Sequence, residues 1–135
     1  MHEVTESAVL MRSPGLVSGL AAGDEFELSD DDEPQGYRVL SRGRNICVQI
    51  FFPHDPSRCR QPLVPLAERI GGRLDGGASS GKSSGVLVFT FPVSVGFPAI
   101  ERVMAQVKSL NPACKWYYGN VYDPKDGVTP LNWWL

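Results

Sequence analysis

The segment Gly85-Val-Leu-Val-Phe-Thr-Phe91 limits the possible folds of this chain more than any other. Its β-branched and aromatic content reads as a strand closed by Pro92. On that reading Leu87, Phe89 and Phe91 share one face, and Val86 and Val88 share the other. Leaving either face in water would expose a large apolar patch, so the segment belongs to a sheet covered on both sides. A second strand is predicted over Asn45–Phe52, with Ile46, Val48, Ile50 and Phe52 on one face and Pro53 as its stop.

The segments around these strands set the topology. Pro62–Ile70 is a short helix ended by Gly71-Gly72, and Gly72–Asp75 starts another strand. The clearest helix follows Pro98, with Ile100, Val103, Met104, Val107 and Leu110 forming an apolar stripe opposite Glu101, Arg102, Gln106 and Lys108. Asn111-Pro112 stops it. Lys115–Tyr122 is the last strand, and Asp123-Pro-Lys-Asp-Gly127 is turn chemistry before the tail Leu131–Leu135. The order βαββαβ over residues 45 to 122 is that of a ferredoxin-like unit, with two helices on one face of a four-stranded antiparallel sheet. Its second face needs a cover: the N-terminal lobe, the aromatic tail, a second copy of the chain or a different partner.

Residues 1 to 44 read as short strands, Val4–Met11, Glu25–Leu28 and Tyr37–Leu40, separated by Ser13-Pro14-Gly15, Gly23-Asp24 and the polar segment Ser29–Gly36. Phe26 and Leu28 alternate with Glu25 and Glu27, which suits a half-buried strand. The expected fold class is therefore α+β. A small N-terminal β lobe, residues 1 to 44, packs with a ferredoxin-like lobe, residues 45 to 135, as one compact unit.

The 135 residues carry 13 Lys plus Arg against 15 Asp plus Glu, a net charge of −2, so no global positive charge drives binding to nucleic acid or anionic membranes. No apolar run approaches the roughly 20 residues of a membrane span. The polar, acidic start Met1-His-Glu-Val-Thr-Glu lacks the pattern of a signal peptide, so the chain is read as cytoplasmic. Cys47, Cys59 and Cys114 are too scattered for a disulfide framework or a C-x-x-C metal site. Cys47 and Cys114 read as small core residues. No metal and no cofactor is expected.

Gly76-Gly-Ala-Ser-Ser-Gly-Lys-Ser83 satisfies G-x-x-x-x-G-K-[ST] letter for letter. A phosphate-binding loop, however, needs a helix starting at Gly-Lys-Ser, and here a strand pattern follows. The segment is read as a flexible Gly- and Ser-rich connection. His54 lies in a Pro-flanked turn. Cys59 between Arg58 and Arg60, with His54 as base, is the one constellation in which a nucleophile, a base and positive charge could converge; it is read as an ordinary loop, with no catalytic residue assigned. The sheet lacks the basic residue and internal glycine of an RNA-recognition strand, so RNA binding is not expected. Two features suit a protein partner. One is the acidic run Asp30, Asp31, Asp32 and Glu33, read as a solvated loop or as a docking site for a basic surface. The other is the aromatic C-terminus with Trp116, Tyr117, Tyr118, Tyr122, Trp133 and Trp134, which serves core closure or an interface.

From about residue 19 onward the chain resembles a family of small bacterial proteins catalogued only as a domain of unknown function. The resemblance rests on the Gly19-Leu-Ala-Ala-Gly23-Asp24 step into a strand, the Tyr37 to Phe52 pair of strands, and the ferredoxin-like order of the second half. It transfers no catalytic residues, and the context it implies includes immunity partners of secreted bacterial toxins. The leading expectation is a non-enzymatic protein-binding module, in the form of an immunity protein or antitoxin that occludes a toxin, with Asp30–Glu33, Trp133 and Trp134 as partner-binding residues. The alternative is a small-molecule sensor acting as a homodimer; the third reading is a small cysteine-dependent enzyme.

Overall fold

The computed structural model describes residues 7–11, 19–28, 36–54, 56, 60–79 and 84–135. Two antiparallel sheets and two helices form an α+β fold. β1 (Ser7–Val9), β2 (Glu25–Leu28) and β3 (Tyr37–Ser41) make a three-stranded sheet in that order. β4 (Asn45–Phe52), α1 (Arg60–Glu68), β5 (Arg73–Ser79), β6 (Gly85–Pro92), α2 (Phe97–Leu110) and β7 (Lys115–Tyr118) follow. Their strands order as β5-β6-β4-β7. Counted within this unit, that is second, third, first and fourth strand, the ferredoxin-like arrangement expected from the sequence.

β4 and β6 lie at the centre and pair over their full lengths, from Asn45 opposite Pro92 to Phe52 opposite Gly85. Ile46, Val48, Ile50 and Phe52 of β4 join Leu87, Phe89 and Phe91 of β6 against the helices. α1 contributes Leu63 and Ala67, and α2 contributes Ile100, Val103, Met104 and Val107. α1 ends where the glycine pair demands it: Gly71, at φ +96°, donates to Glu68 O and Gly72 to Ala67 O, the two bonds of a Schellman cap. No described helix is long and apolar enough to cross a membrane.

The second face of the sheet is covered along β6. Leu20, Ala21 and Ala22 are buried, and Ala21 packs with Cys47, Val86 and Val88. The Asp24 carboxylate holds this segment in place. It is fully buried and accepts from Ala21 N at 3.0 Å, Gly43 N at 2.9 Å and Arg42 Nη1 at 3.0 Å. Arg42 also donates to Gly19 O, and Asn45 Nδ2 donates to Ala22 O at 2.9 Å, so both ends of the segment are tied to the β3–β4 connection. Gly43 is required there because a Cβ would stand 2.5 Å from Gly23 Cα.

Three expectations are corrected. Glu27, not Leu28, is the buried member of β2: Glu27 is 7% exposed and ion-paired with Arg38, while Leu28 is 75% exposed. A register shift between Glu25 and Phe26 breaks the simple alternation. Leu110 does not join the α2 stripe, because the last turn of the helix overhangs the core and leaves it 61% exposed. The last strand stops at Tyr118, four residues early. Gly119 O accepts from Gly19 N instead of β4, and the buried Asn120 side chain takes over the ladder, accepting from Cys47 N at 2.9 Å and donating to Asn45 O at 2.8 Å.

These buried polar bonds set two expectations for denaturant unfolding. Asp24→Ala leaves Arg42 and two backbone N–H groups without their acceptor, and is expected to cost about 3–5 kcal/mol. Asn120→Ala strands one N–H and one C=O of β4, and is expected to cost about 2–3 kcal/mol. An unchanged midpoint in either variant would remove that residue from this account.

Candidate functional site

Among the described residues the cover over the second face stops short of β7. β7 pairs with β4 from Phe51 opposite Lys115 to Val48 opposite Tyr118, which puts Trp116 and Tyr118 on the helix face and Tyr117 on the second face beside Phe51. The Phe51 and Tyr117 rings meet edge to face with centroids 5.8 Å apart, and Tyr117 remains 53% exposed. Past Asn120 the chain leaves the sheet and folds back on itself. Asp123 N donates to Thr129 O, and Gly127 N to Asp123 O. The Asp126 carboxylate accepts from the Thr129 hydroxyl and from the Val128 and Thr129 amides. These bonds, that of the hydroxyl foremost, lower its pKa to about 2.

Between this loop and β7 lies a groove of about 610 Å³. Gln49 and Gly119 line it, Phe51 and Tyr117 stand on the sheet side, and Tyr122, Asp123 and Pro124 on the loop side. It reaches round β7 to Trp116, Tyr118 and Glu101. Its two charged lining residues, Glu101 and Asp123, are both carboxylates. Tyr118 donates to Glu101 Oε2 at 3.3 Å, and burial, reinforced by the Glu101 charge, pushes the phenol well above its ordinary range. A smaller notch of about 210 Å³ borders Arg38 and Arg42, cations already paired with Glu27 and Asp24.

The tail residues expected at an interface serve the core in large part. Trp133 and Trp134 are half-buried and pack against the main cluster. Trp133 Nε1 donates to Asn120 O at 2.8 Å, Arg42 lies over its ring at 5.7 Å, and Trp134 meets Phe97 edge to face at 5.2 Å. Asp30, Asp31, Asp32 and Glu33 lie outside the described residues, between the paired Leu28 and Tyr37. Gly76–Ser79 are not loop but the second half of β5, paired with β6 from Gly76 opposite Val88 to Ser79 opposite Gly85; residues 80–83 lie outside the described set, and β6, not a helix, begins at Gly85. Cys59 also lies outside the described residues. His54 is exposed beside Phe52, with ring centroids 5.6 Å apart, and Cys47 and Cys114 are buried. Among the described residues no cluster of three His, Cys, Asp or Glu is placed to hold a metal. Sequence reasoning missed Phe51, Glu101 and Asp123 as groove residues. The available signal was an aromatic residue at the outward position of two neighbouring strands, Phe51 in β4 and Tyr117 in β7.

The chain belongs to the family described as "Domain of unknown function (DUF4265)", whose model matches residues 3–111 and so reaches the end of α2. No curated protein matches it. Among solved structures it is similar to a hypothetical protein from Neisseria gonorrhoeae, with a TM-score of 0.54 and 14% identity over 82% of this chain and 72% of that one. At that identity the likeness shows the fold alone.

The Tyr118–Glu101 contact sets a pH expectation. Because the folded-state pKa of Tyr118 is raised, it contributes no pH dependence to stability while the phenol is neutral in both states, below about pH 10. Above that the unfolded chain releases the proton that the folded chain keeps, so stability falls as pH rises. Ultraviolet titration of the folded protein should show Tyr118 ionising above the ordinary tyrosine range. Glu101→Gln should bring it part of the way back; with burial the larger cause, a full return to the ordinary range would contradict the assignment.

Proposed function

We propose that this chain is a non-enzymatic protein-binding module whose partner presents a basic side chain to the groove beside β7. The observation that carries this reading is the lining itself. Phe51, Tyr117 and Tyr122 offer ring faces and edges, and the charged lining residues, Glu101 and Asp123, are both acidic. Arginine and lysine side chains bind aromatic faces through their charge and apolar stems through contact, and a carboxylate at the rim completes the recognition. Exposed aromatic residues around a concave floor are also what interface anchors look like. An immunity protein or antitoxin covering a basic toxin surface is the narrower form of the same reading. A sensor for a small cationic ligand is favoured by one observation: the groove volume falls within the range of small-molecule sites.

The experiment is an NMR titration of the protein with an arginine-rich decapeptide, an acidic decapeptide of equal length, and free arginine amide. The expected result is salt-sensitive shifts at Trp116, Tyr117, Gly119 and Tyr122 with the basic peptide, weaker shifts at the same residues with arginine amide, and none with the acidic peptide. Tyr117→Ala and Tyr122→Ala should each weaken peptide binding by about tenfold. Shifts with arginine amide equal to those with the peptide would transfer the groove to the sensor reading. Shifts elsewhere, or none, would overturn both.

A further inference from the structure

β7 ends the four-stranded sheet, and among the described residues one of its edges has no strand beside it. Gly119 N donates to Cys47 O at 2.8 Å, which makes Cys47–Gly119 a hydrogen-bonded position. Such positions alternate along an antiparallel pair, so Gln49–Tyr117 and Phe51–Lys115 are the next ones. Trp116 and Tyr118 therefore aim their N–H and C=O groups away from β4, and among the described residues nothing takes up these four groups. The opposite edge is protected: β5 is bulged between Leu74 and Gly76, a device that spoils a flat edge. β7 carries no bulge.

A trough of about 450 Å³ runs along the open edge, between β7 and α2. On α2 its exposed residues are Glu101, Ala105 and Lys108, spaced i, i+4 and i+7 along one face. Their order runs opposite to that of β7. Glu101 accepts from Tyr118 at one end, and Lys108 donates to Cys114 O at the other, next to Lys115. The trough is thus negative at one end, positive at the other, and small in the middle.

We propose that a second copy of this chain docks on the β7 edge, antiparallel, to form a two-fold dimer with a continuous eight-stranded sheet. A two-fold axis brings the Glu101 end of one copy onto the Lys108 and Lys115 end of the other, so the charges are self-complementary, as an isologous interface requires. It also places Ala105 of both copies near the axis, where a small residue lets the helices approach. The register follows from the backbone. Pairing Trp116 with Tyr118 of the second copy, with Tyr117 on the axis, satisfies all four outward groups of each strand. Centring the pair on Trp116 instead sets Tyr118 against Cys114, whose N–H and C=O are already bonded to Asn111 O and Lys108. The groove and the trough share Glu101, Trp116 and Tyr117, so the dimer borders the binding groove, while Tyr122 and Asp123 line the groove alone.

Sedimentation equilibrium over a dilution series tests the proposal on the full chain. The wild type is expected to dimerise reversibly. Glu101→Lys and Lys108→Glu, each folded by circular dichroism, should each raise the dissociation constant by about tenfold or more. An equimolar mixture of the two variants should recover the dimer, because each mixed interface again opposes Lys with Glu. Hydrogen exchange of the wild type reads the same edge without any substitution: the Trp116 and Tyr118 amides should be protected at high concentration and lose protection on dilution. A monomer at every concentration, a dimer indifferent to both charge reversals, or Trp116 and Tyr118 amides that exchange rapidly in the dimer would overturn the proposal. Groove titrations read a different outcome, so the two readings fail separately.

Discussion

The Asp24 carboxylate is a charge taken out of water, and every element of the N-terminal half is arranged around meeting its demand. An ionised carboxylate without partners in this position would cost several kcal/mol, so its burial is tolerable only because Ala21 N, Gly43 N and Arg42 converge on it. Those three donors come from two segments, the step 19–24 and the β3–β4 connection, which Arg42 and Asn45 also link through Gly19 O and Ala22 O. Binding them to one acceptor fixes how the small sheet meets the large one. It also presses Ala21 onto Cys47 of β4 and onto Val86 and Val88, the apolar residues of the second face of β6.

That cover is narrow, and its width decides where the surface chemistry lies. Among the described residues Leu20 to Ala22 are buried, and Ala21 packs against the β6 half of the face. The β7 half is left to larger side chains that cover one another in part, Phe51 against Tyr117. The C-terminal loop then stands off from the sheet because Asn120 and Trp133 anchor its base below the strand level. The groove is the space between a cover that ends and a loop that starts. Its charged lining residues are Glu101 and Asp123, while Arg38 and Arg42 of the neighbouring notch are taken up by Glu27 and Asp24.

Much of this was legible in the sequence where a single force dominates. The apolar runs of β4 and β6 and the α2 stripe are read correctly because burial alone decides them, and together they specify the ferredoxin-like order. Reading fails where two forces compete. Glu27 displaces Leu28 from the interior because an ion pair with Arg38 and a shifted register outweigh a simple alternation. The early end of β7 was invisible because Asn120 imitates a backbone group with its side chain, and no periodicity reports that. The candidate site was legible only as an aromatic surplus at the C-terminus. Which of those rings face out depends on pairing Tyr117 with Gln49 beside Phe51, a long-range fact that no local pattern contains.

The bonds that complete the large sheet connect distant parts of the chain. Asn120 reaches back to residues 45 and 47, and Arg44 Nη2 holds Trp134 O across 90 positions of sequence. The central strand of the sheet is therefore among the first segments of that unit to leave the ribosome, and Asn120 follows Cys47 only after 73 further positions. Until then one side of β4 has neither β7 nor the Asn120 bracket, and the core beneath Trp133 and Trp134 stays open until those residues follow. The large sheet therefore closes late, and the unfinished β4 edge is the surface that the nascent chain exposes in the interval.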